Sequence, residues 1–426
     1  MINQTHENLD SDGGYLSLDG LRLPDASIHA IGTIARAASN HGTKAYLVGG
    51  MVRDIVARLP KIATSPDVAI IGDAVKLAEA LTEENADCSL LSASQLHTVK
   101  VKIGSATVDI ASARTDLYEP WGSLPQITLV NDIESDLQRR DFAVNAMAIQ
   151  LSCDGLGVVI DPFNGRRDVA RKILRVIRDD SFAEDPLRML RGVRIAARYG
   201  YTFDPETGKE VQRSLRHLEK MCDVSPQRVF NEFRLWFQLH ENLDALTAMG
   251  VKHGILNVFV PSADFRDGAF RQISKDATES ERFAAFAYLA PMGVMIDLTE
   301  RLRMPSNWRA IVSETGIVRS VAKRCRTEHL SDVELWRSLI NVRDEVVRAA
   351  ICVETDSDVS RRLIDFRDRL RPMRTAINGD DLISLGVERG PMIGQILDEL
   401  LAARIEGSIS NAHEERNYVM RRLAGG

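Results

Sequence analysis

Strand-like patterns are concentrated in the first third of this 426-residue chain, and helical periodicity takes over from about residue 161. Short apolar runs predict strands at 44–48, 67–71, 97–103 and 106–112. Apolar residues at helical spacing predict helices at 26–39 and 73–83 in the same region. The pattern favours an α+β fold, in which a small mixed α/β head is followed by an elongated, all-helical neck, body and tail.

Breaks in the helical region divide it further. Ser225 is suited to cap a helix, and Pro226 is suited to the first turn of that helix, so a new helix is predicted to begin here. Pro372 follows an Arg-rich segment and precedes the last stretch of the chain. The sequence therefore predicts five segments, namely a loose N-terminal tail at 1–24, a head at 25–160, a neck at 161–225, a body at 226–371 and a C-terminal tail at 372–426.

Composition narrows the class of protein and its compartment. The chain is 44% hydrophobic and 27% charged, which is typical of a globular protein, and no apolar run approaches the roughly 18–20 residues of a membrane span. Its first residues are polar and acidic, unlike a signal peptide. The five cysteines form no CxxC pair, which favours a reducing compartment over structural zinc. We expect a cytoplasmic protein with no membrane partner, and the oligomeric state is left open.

The net charge of −6 does not favour a nucleic-acid partner, but the charge is unevenly distributed. Between residues 166 and 198 there are ten Lys or Arg and five Asp or Glu. Such a surplus is compatible with a solvated helix face and with a site for a polyanion, and charge alone does not choose between them.

The segment LVGGMVRD at residues 47–54 predicts a strand, a Gly-Gly turn and a helix start. Glycines without a Cβ let backbone N–H groups approach an anionic ligand closely, so Gly49 and Gly50 are candidates for binding a triphosphate. Arg53 would add a bidentate phosphate contact. Taken alone, the pair of glycines fits an ordinary tight turn better than a binding site.

Acidic residues on neighbouring strands form the second candidate. Alternate residues of a strand share a face, so Ser65, Asp67 and Ala69 are expected to point together, and Asp109 would approach from the hairpin. Polymerase-type nucleotidyl transfer needs two or three carboxylates that hold metal ions beside the attacking hydroxyl and the departing pyrophosphate. Taken alone, each aspartate fits an ordinary surface position better than a metal site.

Two Arg-rich segments complete the set of candidates. DLQRRDFAVNAMAI, residues 136–149, is predicted to begin a helix, and its Arg and Asp side chains suit a triphosphate and a ribose, although they would also suit a salt-bridged helix entry. EDPLRMLRGVRIAAR, residues 184–198, places polar residues at three-residue steps along a second helix, where Asp and Arg can hydrogen-bond to base edges. The candidate residues in these segments are Arg139, Arg140, Asp141, Asn145, Asp185, Arg188, Arg191 and Arg194.

The order of these motifs, with DPFNG at 161–165 between the last two, resembles the class II tRNA nucleotidyltransferase (CCA-adding) and bacterial poly(A) polymerase family. INGDDLISLGVERGPMIGQIL, residues 377–397, is similar to the tail of that family. The resemblance extends over nearly everything after residue 25. It implies template-independent addition of nucleotides from CTP and ATP to the 3′ end of tRNA, with Mg²⁺ as the metal ion.

The resemblance also implies roles for individual residues. Gly50 and Arg53 would bind the triphosphate, and Arg140 would contact the nucleotide. Asp185 and Arg188 would act as a protein template that pairs with C or A, and Arg191 and Arg194 would support them. The helical body and tail would hold the acceptor arm of tRNA by its shape and its phosphates.

This sequence departs from the family where two aspartates, spaced as DxD, are expected on one strand. If Asp67 is the first of the pair, Ala69 replaces the second; if Asp67 is the second, Ser65 replaces the first. An alignment without a gap through Gly72 and Asp73 favours Ser65 as the replaced position. Asp67 and Asp109 are then the expected metal ligands and catalytic carboxylates.

Three functions remain open at this point. The first is a tRNA nucleotidyltransferase, and the stretch 114–136 has the length that in this family accompanies CC addition, which weighs against a purely A-adding enzyme. The second is a poly(A) polymerase, which the absence of a basic C-terminal extension disfavours. The third is a protein that binds RNA and nucleotides without turnover, because one carboxylate of the DxD pair is missing by nature or by engineering.

Overall fold

The computed structural model describes residues 23–60, 62, 65–119, 124–153, 155–238 and 242–424. Most of the predicted N-terminal tail lies outside these residues. The strands are β1 (Lys44–Val48), β2 (Asp67–Ile71), β3 (Cys88–Ser94), β4 (Thr98–Ile103), β5 (Ala106–Ser112), β6 (Arg114–Leu117), β7 (Gln126–Leu129), β8 (Ala148–Ser152), β9 (Gly155–Ile160), β10 (Ile173–Leu174) and β11 (Thr202–Phe203).

The α-helices of the first half of the chain are α1 (Asp25–Asn40), α2 (Gly50–Val56), α3 (Ala74–Glu84), α4 (Ile133–Gln138), α5 (Gly165–Arg171), α6 (Ser181–Glu184), α7 (Leu187–Tyr199), α8 (Pro205–Val224) and α9 (Pro226–Arg234). Those of the second half are α10 (Leu243–Lys252), α11 (Ile255–Phe259), α12 (Glu279–Leu289), α13 (Met292–Arg301), α14 (Ser306–Thr327), α15 (Asp332–Leu339), α16 (Asp344–Val353), α17 (Ser357–Asp365), α18 (Gly379–Ser384), α19 (Pro391–Ile405) and α20 (Ala412–Ala424).

A seven-stranded mixed sheet organises the head, with the strand order β3-β4-β5-β2-β1-β8-β9. Only β2 and β5 pair in parallel, and every other pair of neighbours in this sheet is antiparallel. The register of the parallel pair sets Asp67 directly opposite Asp109. The structure confirms the predicted α+β fold. Of the four predicted strands, those at 44–48, 67–71 and 106–112 have the predicted bounds, and the fourth begins one residue later, at Thr98.

The local prediction for residues 136–149 was wrong. No α-helix begins there, because α4 already starts at Ile133, where the Asp132 side chain caps it by accepting from the Ser135 N–H. That helix ends at Gln138, a single 3₁₀ turn covers Ala143–Asn145, and β8 follows to pair with β1. The short capped helix and the extended pairing of β8 together leave no room for a longer helix.

The chain divides into two compact units. One comprises the residues up to Glu232 together with Met249–Val258, and it contains the whole seven-stranded sheet. The other comprises Phe233–Ala248 and the residues from Phe259 onward. Within the parts of the chain that the structure describes, no helix is long and apolar enough to cross a membrane.

Aromatic side chains form much of the core of the second unit. The Phe237 ring lies 5.2 Å from that of Phe283 and 5.3 Å from that of Phe286, measured between centroids, and Trp308 contacts Phe283 at 4.2 Å. All four rings are buried. Pairs of this geometry stabilise a core beyond the area that they bury, and here they join α12 to α14.

Helix α7 packs closely against the head through Gly192. A Cβ at this position would lie 2.7 Å from atoms of both Phe142 and Phe203, and the two rings stack with centroids 6.2 Å apart. We expect Gly192→Ala to lower the free energy of unfolding by about 1–3 kcal/mol, although alanine normally favours a helix, because the added methyl group overpacks this contact. The measurement is thermal and urea-induced unfolding.

Gly394 supplies the matched control for this prediction. It lies inside α19, and a Cβ there would meet no atom within 4 Å. Gly394→Ala is therefore expected to stabilise the chain slightly, by up to about 1 kcal/mol. Equal effects of the two substitutions would show that α7 does not pack as tightly as the structure indicates.

Candidate active site

The turn after β1 brings backbone and an acidic side chain close together. Gly49 has φ 73°, which only glycine adopts without strain, and a Cβ there would lie 3.3 Å from an Asp67 Oδ and 3.4 Å from an Arg140 Nη. Both side chains therefore reach over the Gly49-Gly50 turn at the start of α2. A side chain at position 49 would crowd both of these polar groups, and glycine leaves space for them.

Polar and aromatic neighbours fix the orientation of the Arg53 side chain. Its Nε and Nη2 atoms donate to Asp54 Oδ1 at 3.0 and 2.7 Å, and Nη1 donates to Asn145 Oδ1 at 2.9 Å. Its guanidinium carbon lies 4.0 Å from the centroid of the Tyr199 ring. The side chain is 5% exposed, so a ligand in this cavity would meet a preoriented cation.

Asp67, the first residue of β2, lies directly opposite Asp109, which is in the middle of β5. Desolvation is the largest cause of a raised pKa at Asp67; the positive charge of Arg140 opposes it, the Asp109 carboxylate adds to it, and Lys100 opposes it. Lys100, directly across from Asp109 in the β4–β5 pair, donates to Asp109 Oδ2 at 2.9 Å. Two carboxylates and one ammonium group therefore meet at this point of the sheet.

Ser65 and Ala69, the two positions at which a carboxylate could be missing, differ sharply. Ala69 is 1% exposed and packs in an apolar cluster with Tyr46, Val48 and Leu137. Ser65 is exposed, and its hydroxyl donates to the Thr107 carbonyl at 2.8 Å, next to the strand position of Asp109. A carboxylate at 65 would face solvent beside Asp67, whereas one at 69 would be buried among apolar side chains.

A buried aspartate on α4 holds the Arg pair. Asp136 accepts from Arg139 Nε at 3.0 Å and from Arg140 Nη2 at 2.9 Å. Burial alone would raise the pKa of Asp136, but the two guanidinium groups outweigh it, so the pKa is lowered. Arg139 also donates to Asp116 at 3.0 Å. Asp136 is therefore a positioning residue that holds both arginines, of which Arg140 lies near Asp67 and Arg139 reaches Asp116.

Helix α7 contributes charges from the opposite wall. Arg191 pairs with Asp141 at 3.2 Å, and Asp141 also accepts from the Phe142 N–H and from Asn145. Burial would raise the pKa of Asp141, but Arg191 and these hydrogen bonds lower it overall. Arg194 pairs with Glu232 at 2.8 Å. The predicted helical row of arginines is thus partly held by fixed carboxylates.

Asp185 lies just before α7 and Arg188 lies in its first turn. Contacts with the protein fix Arg188 more firmly than Asp185. Arg188 donates to Ser181 Oγ at 2.7 Å and to the Arg139 carbonyl at 2.9 Å, and it is 3% exposed. Asp185 has one ion-pair contact, a longer one of 3.4 Å to Arg228. The Arg188 guanidinium is therefore rigidly placed, and the Asp185 carboxylate keeps acceptor capacity for a ligand.

These elements enclose one cavity of about 420 Å³ in the first unit. Every predicted nucleotide-binding residue lines it, together with Asp67, and Asp109 lies beside Asp67. Lining residues that the sequence did not single out are Asp116, Tyr118, Ile195, Arg198 and Tyr199. Seven arginines face four aspartates in the lining, which suits a ligand with several negative charges.

The ligand atoms that the site offers determine which metal ion it can bind. Asp67 and Asp109 supply two carboxylates, which is the number that Mg²⁺ often takes from a protein when substrate phosphates complete its coordination. Among the described residues, no cluster of three or more His, Cys, Asp or Glu side chains could hold a metal ion alone. The site therefore fits one divalent cation bound jointly with a phosphate ligand.

A mixed sheet with two opposed carboxylates beside an arginine-lined cavity suits the transfer of a nucleotide. Residues 45–175 match the family model of the poly(A) polymerase head domain. The A-adding tRNA nucleotidyltransferase of Geobacter sulfurreducens is 27% identical over 94% of this chain and 47% of its own length. That of Halalkalibacterium halodurans is 24% identical over 98% of this chain and 97% of its own length.

Among solved structures, the Thermotoga maritima CCA-adding enzyme complexed with tRNA has the same fold, with a TM-score of 0.75 at 22% identity over 94% of this chain and 97% of that one. The chain thus spans about half of the Geobacter protein and nearly all of the other two. The chain is therefore similar to members of the class II family of CCA-adding tRNA nucleotidyltransferases and poly(A) polymerases. Members of this family generally use a divalent metal ion.

Proposed function

We propose that this chain adds nucleotides from CTP or ATP to the 3′ end of tRNA without a nucleic-acid template. The observation that carries the proposal is the cavity in which Asp67, the Gly49-Gly50 turn and the arginines of α7 meet. The names of the relatives support tRNA as the substrate. We further propose that the protein acts in the cytoplasm, and that the head, neck, body and tail have the bounds given by the sequence.

We propose a place for each part of the nucleotide from the charges that line the cavity. The triphosphate lies against the Gly49-Gly50 turn and Arg53, where backbone N–H groups and a fixed guanidinium group favour negative charge. Arg140, held by Asp136, is on the same side, close to Asp67. The base then points toward Asp185 and Arg188 on the opposite wall.

Asp67 and Asp109 are the proposed ligands of one Mg²⁺ ion, which would supply charge neutralisation of the reacting phosphate and a more acidic 3′-hydroxyl. Their strand register holds the two carboxylates together before any ligand binds. We propose that Ser65 occupies the position of the missing carboxylate, because Ala69 belongs to the apolar core. Lys100 neutralises Asp109 when the cation is absent.

The base-reading roles of Asp185 and Arg188 lead to a test of nucleotide choice. A carboxylate accepts a hydrogen bond from the exocyclic amino group of C or A, and a guanidinium group donates to ring acceptors. We expect Asp185→Ala to change the ratio of kcat/KM for CTP over ATP by about tenfold, which corresponds to one lost base contact. The triphosphate affinity should change less. Steady-state kinetics with each nucleotide measure both quantities.

Arg228→Gln is the control for this prediction. It removes the ion-pair partner of Asp185 but leaves the carboxylate in the cavity. The nucleotide ratio should stay within about twofold of that of the unmodified chain. If Arg228→Gln shifts the ratio as much as Asp185→Ala does, Asp185 acts only by packing α7 and not by reading the base.

The direct test of the substrate is incorporation of labelled CTP and ATP into tRNA that lacks one, two or three 3′-terminal nucleotides. Addition that restores a fixed length identifies a tRNA nucleotidyltransferase, and the nucleotides accepted at each length separate A addition from complete CCA addition. A long tract of A on any RNA would instead identify a poly(A) polymerase, as the name of the matching head-domain model allows.

A further inference from the structure

A second cavity adjoins the nucleotide pocket. It has a volume of about 640 Å³ and lies between the end of α2, helix α5 and the end of α7, all within the first unit. We call it the basic cavity, and its polar lining consists of Arg58, Arg166, Arg167, Lys172, Tyr199 and Tyr201. None of these residues except Tyr199 lines the nucleotide pocket.

The basic cavity carries charge of one sign. Its lining has four cationic side chains and no carboxylate, whereas the nucleotide pocket balances its arginines with four aspartates. Helix α5 contains one acidic residue, Asp168, but this residue is buried and pairs with Arg175 at 2.8 Å. Within the described parts of the chain, the side chains of Arg167 and Lys172 make no hydrogen bond and no ion pair. A concave site whose lining has four cations and no carboxylate favours a polyanion.

The backbone gives an independent indication. Arg58 has φ 51° and Lys172 has φ 56°, so two of the four cations occupy the left-handed region that residues other than glycine enter at a cost. Lys172 is the C-cap of α5, a position that glycine or asparagine usually fills. Residues in strained backbone conformations cluster at binding sites, where their side chains supply a functional group that glycine lacks. Here the side chains provide positive charge.

Tyr199 forms the wall shared by the two cavities. The guanidinium group of Arg53 lies 4.0 Å from its ring centroid, which fixes the ring from the nucleotide side. Burial is the largest cause of the raised pKa of the Tyr199 hydroxyl, and the nearby Arg53 opposes it. A flat ring held in this way separates two anion-attracting spaces that lie next to each other.

We infer that the basic cavity is a second phosphate-binding site, which takes phosphodiester groups of the RNA strand that the nucleotide pocket extends. This inference rests on the proposed function, since that function supplies the RNA. The four cations would contact backbone phosphates without reading sequence, as Lys and Arg side chains do in nonspecific nucleic-acid contacts. Inorganic pyrophosphate presents the same chemistry, so the test includes it as a separate arm.

The test uses the full chain with Arg167→Gln and Lys172→Asn combined, because asparagine tolerates the left-handed conformation at 172. The probes are a fluorescent tRNA that lacks its 3′ terminus, ATP and inorganic pyrophosphate, with binding followed by anisotropy for RNA and by calorimetry for the other two. We expect the Kd for the RNA to rise about tenfold and the salt dependence of log K to lose about 1.4 in slope, the value for two phosphate contacts to a single strand. The affinities for ATP and pyrophosphate should stay unchanged.

Arg171→Gln is the matched control, since Arg171 is exposed on the same helix but does not line the basic cavity. It should leave RNA affinity and salt slope unchanged, and Arg167→Gln alone should give an intermediate effect. Unchanged RNA binding by the double variant, an equal loss in the control, or a loss confined to pyrophosphate would overturn the inference. Failure of the proposed function would be distinct, because the unmodified chain would then neither bind the tRNA nor incorporate nucleotides.

Discussion

Ser65→Asp is expected to raise the rate of nucleotide incorporation by about two orders of magnitude. Position 65 is exposed beside Asp67 and opposite the strand that carries Asp109. An added carboxylate there would complete a set of three, and a metal ligand of this kind contributes roughly 3 kcal/mol of transition-state stabilisation. The measurement is the single-turnover rate of ATP or CTP incorporation, together with the affinity for Mn²⁺, which should also rise.

Ala69→Asp separates the two possible positions of the missing ligand. Ala69 is part of the core beneath α4, so a carboxylate there would be buried beside Tyr46 and Leu137. We expect this variant to lose several kcal/mol of folding free energy and to gain no activity. A rate increase with Ala69→Asp and none with Ser65→Asp would show that Asp67 is the first member of the pair.

Asp67→Asn is expected to lower incorporation by at least about a thousandfold. Asparagine keeps the size of the side chain but removes the negative charge that would hold the cation, and position 67 is one of only two carboxylates proposed for that purpose. The affinities for tRNA and for ATP without a metal ion should change little, because the arginines of the cavity remain. Rates and binding are measured on the same preparations.

Asp73→Asn is the control for the loss at Asp67. Asp73 follows the same strand and caps α3, where its side chain accepts from the Val75 N–H, and asparagine caps helices equally well. Its activity should match that of the unmodified chain. If Asp67→Asn keeps more than about a tenth of the rate, the catalytic role assigned to Asp67 is wrong.

Much of the head could be predicted from the sequence because its signals are local. The run Lys44–Val48 and the glycines after it encode a strand and a turn whatever surrounds them. The helical periodicity of the remainder likewise encodes the α+β division. Failure came at residues 136–149, where the cap at Asp132 and the pairing of β8 with β1 decided the outcome. Strand pairing is a long-range property, and the local pattern does not contain it.

In the candidate site, too, residues in local motifs could be predicted and residues brought in by folding could not. Residues in recognisable motifs, such as Arg53 and Asp185, line the cavity as expected. Asp116 and Tyr199 join them only because β6 and the end of α7 are brought beside the sheet by folding. The segment ARTD, residues 113–116, contained a signal for Asp116, because Arg114 stands two residues before it and the two side chains pair at 3.0 Å. No comparable signal marks Tyr199 or Arg58, whereas the other three cations of the basic cavity fall in the Lys- and Arg-rich stretch 166–198.

Incorporation of labelled ATP and CTP by the unmodified chain tests the central claim most directly. The substrate is tRNA that lacks its 3′-terminal nucleotides, with Mg²⁺ present, and the products are resolved to single nucleotides. Defined extension of the tRNA, which Asp67→Asn abolishes, is the predicted result. Binding of tRNA and ATP without any extension would contradict the claim that a site built on Asp67 and Asp109, with serine at position 65, transfers nucleotides.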